Sequence, residues 1–178
     1  MLQSISHGKK FGLATVSGLI SGCLVHTTLV AFGVSAIIKE NETLYFVIKF
    51  LGAAYLLFLA FKVFKSDGSL NISSNAVPKK SLLQLFKQGF LMNVLNPKVS
   101  LFFLALFPGF LFSDSLSKVT QFYVLGFLFM AVSFIIFSSI ALLAGSISNY
   151  MKKHHQVGLF FKWLQIIVFV GIAVFILI

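Results

Sequence analysis

Five long apolar runs separated by short polar segments set the pattern of the chain. Residues 13–38 carry no formal charge, 44–64 carry Lys49 and Lys62, 119–147 carry none, and 157–178 carry Lys162 near the start. The third run is less regular: 99–112 is uncharged and follows a mixed stretch at 82–98. A membrane-crossing helix needs about 20 apolar residues. The runs are too long for barrel strands and lack their two-residue alternation. Residues 65–81 are polar, hold turn formers and read as a loop. The pattern predicts an all-α, polytopic membrane bundle in one domain, 1–178. Its spans fall at about 13–38, 44–64, 89–112, 119–147 and 157–178, with the third broken or kinked.

Composition strengthens this picture. The chain is 58% hydrophobic and 10% charged, with a mean hydropathy of +1.01. A globular domain is about 45–50% apolar and about 25% charged. The excess apolar surface of 178 residues calls for a lipid bilayer as partner rather than water.

The net charge of +10 comes from 14 lysines without an arginine. A basic balance also marks nucleic-acid binders, but here the lysines alternate along the spans, and no nucleic-acid partner is expected. Lys9 and Lys10 precede the first span, and Lys65, Lys79, Lys80 and Lys87 fall between the second and third. Lys152, Lys153 and Lys162 lie between the fourth and fifth. The 39–43 and 113–118 segments hold one lysine each, balanced by acids, and the carboxyl end has none. Lysine accumulates on the cytoplasmic side of membranes, which predicts a cytoplasmic amino end and an outer carboxyl end. Tyr45, Tyr123, Tyr150 and Trp163 lie near span ends, where amphipathic rings favour the headgroup layer. The first twelve residues are too polar for a cleavable signal peptide.

Candidate chemistry is sparse. Glu40, Glu42, Asp67 and Asp114 all fall in loops, and the single Cys23 excludes an internal disulfide. No triad, phosphate loop or metal-ligand spacing appears, so neither an enzyme nor a cofactor is expected. Gly18, Gly22 and His26 recur every fourth residue on one helix face. The G-x-x-x-G pair permits close backbone packing. His26 is an ionisable group mid-span, which faces the bundle interior either as a hydrogen-bonded packing residue or in a proton or substrate role.

In the third span, Pro97 lacks the N–H that a helix would donate to the Asn93 carbonyl. Asn96 is placed to cap a new helix starting at Pro97, whose positive end, with Lys98, attracts a carboxylate. Broken helices of this kind bind substrates in transporters. The alternative is that Asn96-Pro97 merely starts a span at the surface, behind an interfacial helix. Pro108 is a second expected kink. Tyr55 is a mid-span hydroxyl that packs or contacts substrate. Lys49 and Lys62 are expected to snorkel, and His154 and His155 to be a solvated pair.

At these residues the chain resembles the lysine exporter / homoserine-threonine exporter family of bacterial amino-acid efflux proteins. The matching pieces are G-x-x-x-G-x-x-x-H at Gly18 to His26, LGAAYL at 51–56, NVLNPKVSLF at 93–102, and Pro108 in FPGF. Order and spacing agree over nearly the whole chain. The resemblance implies proton-driven export of amino acids or related metabolites across the inner membrane, with a homo-oligomer left open. The transporter reading of these residues puts Asn93, Asn96, Pro97, Lys98, His26 and Tyr55 near the substrate, with Gly18, Gly22 and Pro108 packing or kinking helices. Members of the family usually have six spans, the first with a Pro-Gly-Pro motif. This sequence begins at what resembles the end of that span, so one half of the site is expected to be missing. The rival expectation is therefore a non-transporting membrane subunit or an inactive remnant.

Overall fold

The computed structural model describes residues 2–67, 78–153 and 156–178. Residues 68–77 of the expected loop at 65–81 and the pair His154 and His155 lie outside the described residues. Nine α-helices form among the described residues, and none of these residues is in a strand. They are α1 (Leu2–His7), α2 (Lys9–Leu29), α3 (Ser35–Glu40), α4 (Glu42–Phe64), α5 (Leu82–Val94), α6 (Pro97–Leu106), α7 (Lys118–Leu142), α8 (Ala144–Lys153) and α9 (Gln156–Leu177). A π turn, Val30–Val34, joins α2 to α3, and a 3₁₀ turn, Phe107–Phe110, extends α6.

Local chemistry sets many of the ends. Gly8, at φ 100°, adopts a conformation that side chains disfavour and folds α1 back onto α2. Asn41 caps α4 through Leu44 N at 2.9 Å, and Ser117 caps α7 through Thr120 N at 3.1 Å. Ser81 and Gln84 form a reciprocal capping box that starts α5.

Among the described residues, four helical stretches are long and apolar enough to cross a membrane: Lys9–Ile37, Thr43–Phe64, Lys118–Leu142 and Gln156–Leu177. A further stretch, Leu82–Val94 with Pro97–Phe110, is long and apolar enough only as a pair and bends by 55° at its break, the form of a broken span or a re-entrant loop. With 13 residues, α5 is about 20 Å long at 1.5 Å per residue, short of a hydrocarbon core of about 30 Å. The outer faces fit lipid: Phe127, Leu128 and Ile135 on α7 and Phe160 and Ile167 on α9 are exposed. The charge-free run 119–147 is not one helix, because α7 ends at Leu142 and the short α8 begins at Ala144.

Packing divides the bundle into two groups. In one, α2 lies against α5 and α7; in the other, α4 lies against α9. Small residues make the first contact close. A Cβ on Gly18 would overlap the Phe86 carbonyl of α5, and one on Gly89 would overlap the Thr15 carbonyl of α2. The α6 helix stands between the groups. Phe103 and Phe107 pack with Val30, Ala31, Val34 and Phe122, whereas Ala105 packs with Ala53, Leu56 and Phe169.

Candidate functional site

The break between α5 and α6 starts from a missing proton. Pro97 has no N–H for the Asn93 carbonyl four residues earlier. Asn96 N donates to that carbonyl at 3.0 Å, and His26 Nε2 lies 3.1 Å from it. A carbonyl only accepts, so this hydrogen bond places the ring proton on Nε2. His26, 2% exposed, therefore supplies from α2 the kind of donor that the proline withholds.

With Nε2 as donor, Nδ1 is the acceptor. Ser100 Oγ stands 3.4 Å from it and 3.4 Å from the Asn96 carbonyl. The imidazole thus touches both half-helices, α5 through a backbone carbonyl and α6 through a hydroxyl. The Phe103 ring, centred 5.6 Å away, covers it.

Asn93 is buried beside it. Its Nδ2 lies 3.6 Å from Cys23 Sγ, and its Oδ1 has no hydrogen-bond partner among the described residues. Gly22 makes room for it: a Cβ there would stand 2.8 Å from Asn93 Cβ and 2.9 Å from Oδ1. Gly18, Gly22 and His26 thus present one face of α2 to α5, as their four-residue spacing requires.

Asn96 caps α6 through Lys98 N at 3.0 Å, with Pro97 in the first helical position. The amino end of α6 therefore keeps its partial positive charge, while the Lys98 amide is already taken by the cap. The Lys98 ammonium is turned away from His26 and sits 4.3 Å from the centre of the Phe169 ring on α9, a cation–π contact. Two residues on, Ser100 points toward α2; a two-residue step on a helix reverses direction.

The structure brings His26, Asn93 and Asn96 together and leaves Tyr55 apart. Tyr55 is half-buried on α4, its ring 6.3 Å from Phe58, and its hydroxyl makes no hydrogen bond among the described residues. Pro97 itself is exposed. Pro108 is buried in the 3₁₀ turn that ends α6, so it finishes the helix rather than bending a longer one.

Two polar residues escaped the sequence reading. Ser100 was signalled only by its place one turn after Asn96. Gln121, 1% exposed, is tied at every amide position. Its Oε1 accepts from Phe112 N at 2.7 Å and Ser113 N at 3.0 Å. Its Nε2 donates to the Ser113 carbonyl at 2.7 Å and the Leu116 carbonyl at 3.0 Å. An amide alone in an apolar run signals such a need for partners. The same turn borders an open pocket of about 330 Å³ lined by Leu111, Phe112, Ser113, Asp114, Lys118 and Gln121.

Comparison with known proteins gives the chain a family. Residues 1–178 match the family described as LysE type translocator. The homoserine/homoserine lactone efflux protein of Salmonella typhimurium is 30% identical over 156 residues, covering 88% of this chain and 75% of the relative. The leucine efflux protein of Klebsiella pneumoniae is 29% identical over 174 residues, covering 95% of this chain and 80% of the relative. An uncharacterized membrane protein of Bacillus subtilis, YrhP, is 36% identical over 121 residues, or 62% of this chain and 57% of that one. No solved structure matches the chain. The chain belongs to the LysE type translocator family, and it is a membrane transporter rather than an enzyme.

Proposed function

We propose that the chain exports amino acids or related small metabolites across the bacterial inner membrane in exchange for protons. The substrate binds at the break between α5 and α6. Family membership and relatives named for the efflux of homoserine and of leucine support amino-acid export. The observation that carries the site is the Asn93 carbonyl, left by Pro97 and met by His26 in the bundle interior.

In this reading Asn96 caps the half-helix α6, whose amino end attracts the substrate carboxylate, helped by the field of Lys98. Asn93 and His26 line the inner side, and Tyr55 borders the path from α4. The amino end of the chain is cytoplasmic and the carboxyl end is outside, following the alternation of lysines.

The test is export from loaded proteoliposomes, normalised to folded protein. Asn96→Ala removes a cap worth about 0.5–2 kcal/mol, which a bundle survives, and is expected to reduce export at least tenfold. Pro97→Ala permits a continuous helix and is expected to abolish it. Wild-type export by both variants would return Asn96-Pro97 to the role of an ordinary helix start, and absence of amino-acid export by the wild type would favour a non-transporting subunit.

A further inference from the structure

An amino acid carries an ammonium group as well as a carboxylate, and nothing in the spans is charged to receive it. Glu40, Glu42, Asp67 and Asp114 all lie outside the apolar membrane-crossing stretches. In a bundle without an internal carboxylate, an ammonium has only neutral oxygen or nitrogen acceptors to turn to.

Three such acceptors belong to residues at the helix break or in contact with it. His26 Nδ1 carries a lone pair, because Nε2 is held as the donor to the Asn93 carbonyl. Ser100 Oγ stands 3.4 Å from that lone pair. Asn93 Oδ1 is buried without a partner among the described residues, on a residue only 8% exposed. A buried acceptor with nothing bound to it is costly, which marks the spot as one made for a visiting donor. His26 is 2% exposed, whereas Ser100 and Asn96 are half-buried, so the more accessible polar groups here belong to α6 and its cap.

We propose that His26, Ser100 and Asn93 form the subsite for the substrate ammonium, and that one proton and one ammonium compete for His26 Nδ1. This rests on the export reading above. The competition follows from the ring itself. Neutral His26 offers Nδ1 as an acceptor. A proton on Nδ1 turns it into a donor toward Ser100 Oγ, and the serine hydroxyl then turns to donate its hydrogen bond to the Asn96 carbonyl 3.4 Å away. The protonated ring is thus hydrogen-bonded at both nitrogens, carries a positive charge and excludes a second cation. Mutual exclusion at one site is what an exchanger of protons for amino acids requires.

No described charged group interferes. On α2 the nearby titratable side chain is Cys23, which faces Asn93. On α5, Lys87 is exposed, and on α6, Lys98 lies over Phe169. On α7, the Tyr123 hydroxyl is 3.1 Å from Thr28 Oγ1.

The experiment measures binding of L-leucine, and of its amine-free analogue 4-methylpentanoate, to the full chain in nanodiscs from pH 5 to 8. Leucine affinity is expected to fall with pH, toward the limit of about tenfold per unit for one competing proton. The analogue's affinity is expected not to weaken. His26→Gln retains a donor and an acceptor but cannot take up the proton, and leucine binding is expected to become independent of pH. Ser100→Ala is expected to weaken leucine severalfold while leaving the analogue unchanged, which keeps the idea testable should His26→Gln fail to fold. Equal binding of leucine and the analogue, or a pH profile shared by wild type and His26→Gln, overturns the subsite and leaves export standing. Failure of the wild type to bind leucine or homoserine at any pH overturns the export reading along with it.

Discussion

The Nε2 atom of His26 lies 3.1 Å from the carbonyl oxygen of Asn93, and that carbonyl is the one Pro97 deprives of its helical donor. A helix break is thereby mended from a neighbouring helix. The repair fixes the ring's tautomer and locks α2 to the end of α5.

The clamp gives a stability prediction. His26→Leu removes the donor and leaves a buried carbonyl with only the Asn96 amide, at an expected cost of about 1–3 kcal/mol. Thermal unfolding of the purified protein in detergent checks it. His26→Gln, which preserves a donor near Nε2, is expected to lose less than His26→Leu; equal losses would show that the bond contributes nothing.

Two glycines on the same helix and one on its extension should behave oppositely. Gly18→Ala drives a Cβ into the Phe86 carbonyl, and Gly22→Ala presses on Asn93, so both are expected to lower the yield of folded protein. Gly33→Ala meets nothing within 4 Å and has helical geometry, so it is expected to stabilise by about 0.4–1 kcal/mol through the unfolded state. Fluorescence-detected size exclusion and melting curves on the three variants settle the matter. A Gly18→Ala protein as stable as Gly33→Ala would mean that α2 and α5 do not meet backbone to backbone.

Gln121 holds a turn together. Gln121→Leu strips partners from the Phe112 and Ser113 amides and the Ser113 and Leu116 carbonyls at once. Amide exchange across 112–116 is expected to rise by at least tenfold, with export activity affected less than by Asn96→Ala. Unchanged protection there contradicts the role assigned to Gln121.

Orientation follows from charge. Reporter fusions at Lys80 and Lys153 are expected to read cytoplasmic, and a fusion at Ile178 outside. An outer Lys80 inverts every later span and rejects the scheme.

Much of this architecture is legible in the sequence, and the illegible part has a common cause. The break at Asn96-Pro97 is written locally, in a ring that lacks a donor and a side chain that caps. The start of α5 is also written locally, in Ser81 and Gln84, although counting apolar residues moved the span's beginning to about 89. The partner of His26 is not written locally. It lies 67 residues away, and its identity depends on how far α2 slides along α5, which Gly18, Gly22 and Gly89 decide together. The direction of Lys98 is hidden for the same reason, since the aromatic ring that draws it belongs to α9. The π turn and the break at Leu143 have neither proline nor a cap to announce them.

The two faces of α6 differ in relief. Toward α2 and α7 it is knurled: Phe103 and Phe107 are 4.3 Å apart, and Phe129 closes on Phe103 at 5.1 Å, so the rings mesh. Toward α4 it is smooth, with Ala105 pressed on Gly52 and Ala53 nearby. Meshed rings resist displacement, whereas a glycine and alanine track lets one helix glide along another. A rearrangement during transport is therefore expected to slide α4 along α6 while α6 travels with α2 and α7. Ala105→Val roughens that track, so slowed export from a protein with an unchanged melting temperature is its expected signature.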